Sequence, residues 1–404
     1  FRRVLFRSYA LAASNLQITY ITSSNIFLTW TTGIGASYYK LQSTQYIPPY
    51  IYGPLSSINN NFGKAMALSP DGNILLISDT NGGVILYDGI IYIYINNNGI
   101  WNNIGQITCP IFLQGSGSLF GSSITFSSDG NILYIGAINY TSRYYQSEGL
   151  VLIYTKSGNI WVNTSQISCP ENYQISFGQF GKSIAISPDN NSLFISVPGY
   201  RNKEGIVLLF KYIAGKWISV KEINCPISIY RNLPNFGTCI ILSPDGNTIY
   251  ISAPGQVFDG DYTGSVQIFS YSQTDDLWIN ITAIQCPIIL QGTYAMFGNS
   301  MTISSDGNSL FIGETYAYGY LAYFKNNINN INIWTYITTI TNGSPLACLI
   351  SNSSNLYISK IKNNIGVIEI YSYINNISVI SSLINILILN IKIIFKMIIL
   401  YFIL

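Results

Sequence analysis

Apolar residues in this chain come in short runs separated by Gly, Pro, Asn, Asp and Ser, and within the runs apolar and polar positions alternate. A period of two predicts β-strands joined by turns. No helix-period segment interrupts the central region. The pattern also repeats. FGKAMALSPDGNILLIS starts at Phe62, FGSSITFSSDGNILYIGA at Phe120, FGKSIAISPDNNSLFISVP at Phe180, FGTCIILSPDGNTIYISAP at Phe236 and FGNSMTISSDGNSLFIGE at Phe297. The steps between anchors are 58, 60, 56 and 61 residues.

Each unit continues alike. A Gly leads a third apolar run, as in GLVLIY from Gly149, GIVLLF from Gly205 and GSVQIF from Gly264. A turn and a Trp follow (Trp101, Trp161, Trp217, Trp278), then a closing run that ends in Cys-Pro at Cys109, Cys169, Cys225 and Cys286. One unit therefore predicts four short strands, and Ser-Pro-Asp-Gly between the first two predicts a tight turn. The Trp is expected to pack under its own unit's turn. Weaker copies flank the five. One holds Ser354–Ser359 and Gly366–Tyr371; the other holds Ile18–Trp30 and Gly35–Leu41. Aligned on Asn25, Asn73, Asn131, Asn191, Asn247, Asn308 and Asn355, the copies number seven.

Repeats of this length, with Phe-Gly anchors and ISAP or ISVP endings, resemble FG-GAP repeats, the units of the integrin alpha-chain N-terminal β-propeller. The resemblance covers roughly Leu16 to Ile380 and implies an all-β fold, a seven-bladed β-propeller of four-stranded blades. A lone sheet of this size cannot bury both faces, and blades packed around an axis do so against each other. Leu16–Leu41 also resembles the first strands of a fibronectin type III domain, with Trp30 and Tyr39 in core positions. On that reading the ring has six blades. The resemblance further implies a non-enzymatic binding or adhesion module that takes a protein or glycan ligand at the cell surface or outside the cell.

Composition narrows the chemistry. The 404 residues include no His, which removes the commonest general base and every Ser-His-Asp or Cys-His nucleophile pair. Only 9% of residues are charged and the net charge is +2, so no field favours nucleic acid. Catalytic residues, cofactors and metals are not expected. In integrins the loop between strands one and two binds calcium through several carboxylates. Here each such loop has one, at Asp71, Asp129, Asp189, Asp245 and Asp306, too few for calcium's six to eight oxygens. Four cysteines share one repeat position, too far apart on neighbouring blades for disulfides. They read as small buried hydrophobes. Unpaired thiols also keep an intracellular or virion location open. Two function alternatives stay open with it: a structural surface or virion-type protein without a dedicated ligand, and a carboxylate-based enzyme in the central channel.

The ends differ from the middle. Residues 1–10 are expected to be a leader or sequencing artefact, since Arg2–Ser8 resembles translated adapter sequence. Residues 11–380 form the expected propeller domain, with 11–54 a degenerate first blade or a partial fibronectin-like segment. Residues 381–404 are an apolar tail, expected to be either a membrane segment, against which Lys392 and Lys396 count, or a poorly constrained end.

In a four-stranded blade the 2–3 and 4–1 loops share a face, and here those loops are the long ones. Binding concentrates on long ordered loops, through Tyr and Arg above all. Arg143, Tyr145, Tyr200, Arg201, Arg231, Asp259, Asp261 and Tyr262 are the expected binding residues, gathered around one rim.

Overall fold

The structure is a computed structural model that describes residues 14–21, 26–31, 50–53, 61–83, 87–158, 160–226, 233–258, 261–290, 295–314, 319–326, 333–341, 349–351, 355–362 and 365–372. An N-terminal antiparallel hairpin, Ser14–Ile21 with Ile26–Thr31, is a sheet of its own. The other principal strands form six four-stranded antiparallel sheets, the blades of a β-propeller. Blade 1 runs from Phe62 to Thr108, blade 2 from Phe120 to Ser168 and blade 3 from Ile184 to Asn224. Blade 4 runs from Ile240 to Gln285 and blade 5 from Ser300 to Thr341. Blade 6 holds Leu349–Ser351, Asn355–Lys362 and Ile365–Ser372, and its fourth strand is Tyr50–Tyr52, which precedes blade 1 in the chain. The first strand of each blade packs beside the first strand of the next, and that of blade 6 beside that of blade 1, so the ring closes.

Of the two counts open in the sequence, the ring takes six. The reason lies in the joint between blades. Gly205 leads the third strand of blade 3 with φ +83°, and a Cβ there would collide with the Phe236 carbonyl of blade 4. The Phe236 N–H donates to the Glu204 carbonyl at 3.2 Å. The Phe-Gly anchor and the Gly-led strand are thus two halves of one contact. In blade 6 the Gly is Gly366, where a Cβ would lie 2.6 Å from the Phe62 oxygen. Phe62 accepts one such strand, and Gly366 takes the place that a seventh blade would need. Gly35–Leu41, the third strand expected of that blade, lies outside the described residues.

The strands follow their burial. Second strands are covered on both faces, and all six residues of Ser192–Val197 and of Thr248–Ala253 are buried. The fourth strands face water on one side and alternate, as Lys216–Asn224 does. Each anchor Phe stacks edge-on or tilted with an aromatic of its blade's third strand, Phe180 with Phe210 at 6.1 Å and Phe236 with Phe269 at 6.0 Å.

The recurrent Trp is half-buried against the core and packs on its own blade as expected, Trp217 on Tyr212 at 5.3 Å and Trp278 on Tyr271 at 5.4 Å, but it also reaches a second blade. Trp217 of blade 3 meets Tyr134 of blade 2 at 5.9 Å, and Trp278 of blade 4 meets Phe194 of blade 3 at 5.4 Å. It therefore bridges its own blade and the preceding one.

The Ser-X-Asp turns close themselves. Asp71 accepts from the Ser69 hydroxyl at 2.5 Å and from the Asn73 N–H at 3.1 Å, and these bonds hold its carboxyl below the ordinary range. The same bonds recur at Asp129. Cys109, Cys169 and Cys286 are buried free thiols. Burial pushes Cys109 up to about 11 and Cys286 to about 12. Among the described residues no helix is long and apolar enough to cross a membrane, and residues 381–404 lie outside them.

Candidate functional site: a pocket on the loop face of blade 3

The 2–3 and 4–1 loops lie together on one face. The Phe177 N–H donates to the Gln146 carbonyl at 2.6 Å, and the Asn235 N–H to the Lys203 carbonyl at 2.8 Å. Each bond joins a 4–1 loop to the 2–3 loop of the blade before it.

Blade 3 carries a cavity of about 410 Å³ on this face. Tyr200, Arg201, Glu204 and Gly205 of the 2–3 loop line it, with Glu222, Asn224 and Cys225 at the end of the fourth strand. The loop is built tightly. Arg201, Asn202 and Lys203 have φ of 47°, 56° and 70°. Left-handed backbone costs an L-residue roughly 1–2 kcal/mol, and such outliers concentrate at functional sites. The Gly205 N–H closes the loop on the Tyr200 carbonyl at 3.1 Å.

The neighbouring 4–1 loop supplies one more side chain. After Pro170 the chain makes a single 3-10 turn, Glu171–Tyr173, with the Tyr173 N–H bonded to the Pro170 carbonyl at 2.8 Å. Proline suits the start of such a turn because it has no N–H to leave unpaired. The turn delivers Tyr173 to the pocket's edge. Its ring lies 5.6 Å from that of Tyr200, and its hydroxyl donates to Glu222 Oε2 at 2.5 Å. Asn224 donates to the other Glu222 oxygen at 2.9 Å. The Tyr173 bond, then the Asn224 bond, hold the Glu222 carboxyl below the ordinary range. Burial, then the Glu222 contact, push the Tyr173 phenol up to about 12. Arg201 stacks on Tyr200, guanidinium to ring 5.2 Å. Burial, then the Glu204 charge, raise Cys225 to about 12, so this thiol is no nucleophile at neutral pH.

Of the expected binding residues, the structure brings Tyr200 and Arg201 into this pocket. Arg143 and Tyr145 sit on the 2–3 loop of blade 2, where Arg143 is exposed and stacks on Tyr144 at 5.8 Å. They do not line the cavity. Asp261 and Tyr262 form a two-residue ladder with Val257 and Phe258 in the 2–3 loop of blade 4. Arg231 and Asp259 lie outside the described residues. Sequence reasoning missed Glu204, Glu222 and Asn224. Glu222 carried a signal: blades 1 and 2 have Gln106 and Gln166 three residues before their Cys, and blade 3 alone puts a charge there.

Comparison with known proteins extends the fold and stops there. No family model and no curated protein matches the chain. A putative 6-phosphogluconolactonase from Bacteroides fragilis is similar in structure, with TM-score 0.52, 13% identity, and 80% of this chain and 90% of that one covered. The periplasmic gluconolactonase of Pseudomonas aeruginosa gives 0.49 and 18%, covering 86% and 91%. A β-propeller domain from Myceliophteria thermophila gives 0.47 and 9%, covering 77% and 82%. At these identities the likeness concerns the propeller alone.

Proposed function

We propose that the protein is a binding module that recognises a polar partner, a glycan or a glycan-bearing protein, through the blade 3 pocket on its 2–3 and 4–1 loop face. The observation that carries this is the convergence of two tyrosine rings, two glutamates, an arginine and an asparagine on one cavity. Sugar rings stack on aromatic faces and their hydroxyls need fixed acceptors and donors. Glu222, held charged and oriented by two hydrogen bonds, is such an acceptor, and a ligand meets a pocket already formed. Arg143 and Tyr145 on the 2–3 loop of blade 2, and Asp261 and Tyr262 on that of blade 4, would widen the rim for a larger partner. Display at a cell surface or outside the cell belongs to this reading and is supported by the FG-GAP resemblance.

A second reading is an enzyme. Glu204 and Glu222 line one cavity, and paired carboxylates are the acid–base machinery open to a chain without His. A solved propeller of similar fold, from Bacteroides fragilis, is a putative 6-phosphogluconolactonase. A glycan array run beside a lactone-hydrolysis assay separates the two. Retained glycans lost on Glu222→Ala support binding. Turnover lost on Glu204→Gln or Glu222→Gln supports the enzyme. Retention of nothing and turnover of nothing would leave a structural protein.

A further inference from the structure

The blade 3 pocket holds charges of both signs, and they are not paired with each other. Arg201, Glu204 and Glu222 line the one cavity. Among the described residues none of the three is in an ion pair. Opposite charges that share a cavity attract, more strongly where water is partly excluded. Here each is held back by its own surroundings.

Arg201 is committed to an aromatic ring. Its guanidinium lies 5.2 Å from the centre of the Tyr200 ring, a cation–π contact. The left-handed backbone of Arg201, Asn202 and Lys203 fixes the point from which the side chain leaves the loop. Among the described residues no acceptor takes its N–H groups. Glu222 is committed to two donors. One carboxyl oxygen accepts from the Tyr173 hydroxyl at 2.5 Å and the other from the Asn224 amide at 2.9 Å. Each oxygen keeps a further lone pair for a ligand. After those two bonds, the Arg201 charge also helps to hold Glu222 ionised, so the two groups sense each other across the cavity without touching. Glu204 follows Arg201 on the same loop and is half-buried. Its carboxylate accepts from no described residue. The pocket thus keeps a guanidinium and two carboxylates apart, each with unused hydrogen-bonding capacity. A ligand of one sign meets attraction from one group and repulsion from another. A ligand with both signs is attracted at each end.

We infer that the ligand of this pocket is a sugar that carries both a free amine and a carboxylate, with the carboxylate paired to Arg201 and the ammonium to Glu204 and Glu222. The inference rests on the pocket being a glycan site, as proposed above. A guanidinium matches a carboxylate in a two-point, charge-assisted contact. The ammonium has three donors for the free carboxylate and the remaining lone pairs of Glu222. A cavity of about 410 Å³ is of the size that holds a small ligand. Because Tyr200, Tyr173 and Asn224 already fix the charged groups, little ordering remains to oppose binding.

The test is calorimetric titration of the whole chain with four hexosamines that differ in these two groups. Muramic acid has amine and carboxylate, N-acetylmuramic acid the carboxylate alone, glucosamine the amine alone and N-acetylglucosamine neither. Muramic acid is expected to bind at least about tenfold more tightly than each of the other three. Arg201→Gln should bring muramic acid down to about the affinity of glucosamine, and Glu204→Gln should weaken it about tenfold. Should a variant fail to fold, the four titrations of the parent decide. Muramic acid bound no more tightly than any one of the others would overturn the inference and leave glycan recognition at the pocket standing. A preference for muramic acid that survives both substitutions would put its site elsewhere and overturn the inference as well. Binding of none of the four overturns it too, and retention on the glycan array then decides the wider reading by itself.

Discussion

At the scale of single residues, the repeat is a set of small parts that each answer one backbone demand. The glycine before each third strand is there for the neighbour, not for its own strand. Gly205→Ala should destabilise the protein by about 2–4 kcal/mol, since it adds both left-handed strain and a collision with the Phe236 carbonyl. Urea unfolding measures this, and a change within experimental error would refute the joint. Serines of the second strands answer another demand. The Ser196 hydroxyl accepts from the Ser183 N–H at 2.9 Å, where the first strand has not yet entered its ladder. Ser78 does the same for Ala65 at 2.8 Å. These residues were legible in the sequence as a recurring pattern. Their purpose was not, because it depends on which blade lies alongside.

At the scale of elements, the strands and turns were the most legible part. The Phe-Gly run, the Ser-Pro-Asp-Gly turn, the Gly-led strand and the Cys-Pro closure each became the element that alternation and turn chemistry predict. The 3-10 turn after Cys-Pro was not legible, since one turn of helix leaves no periodicity, and that turn presents Tyr173. Element ends also set one titration. Glu314, which follows the second strand of blade 5, is 4% exposed, and burial pushes its carboxyl up to about 7. A carboxyl raised in the folded state binds protons more tightly there than in the unfolded chain. Its contribution is therefore full below the ordinary Glu range near 4.5 and is lost as pH rises through about 7. Parent protein should lose on the order of 2 kcal/mol between pH 5 and pH 8 from this group, and Glu314→Gln should flatten that slope. The comparison is urea unfolding of both proteins at the two pH values. Identical slopes would contradict the assignment.

At the scale of the molecule, the repeat number decided less than the closure. Seven copies of a motif are present, but a ring is counted by its joints, and Gly366 against Phe62 closes it at six. Sequence periodicity sees copies and cannot see which glycine reaches which phenylalanine across the ring. The candidate site shows the same division. Long 2–3 and 4–1 loops on one face were legible, and so were Tyr200 and Arg201. The pocket itself was not, because Tyr173, Glu204, Glu222 and Asn224 are brought together by three separate segments. What the fold adds to the loops is rigidity: the 2–3 and 4–1 loops are tied to each other by backbone hydrogen bonds, so the cavity is formed before any ligand arrives.

The central claim is that this cavity is where the partner binds, and affinity measured on pocket variants tests it most directly. The ligand retained on a glycan array would be titrated into the parent, into Tyr200→Ala with Glu222→Ala, and into Arg143→Ala as a rim control. The pocket double variant should bind at least about thirtyfold more weakly, the loss of about 2 kcal/mol expected of an anchor, and Arg143→Ala should change affinity only a few fold. Unchanged affinity in a folded double variant would place the binding site elsewhere and contradict the account.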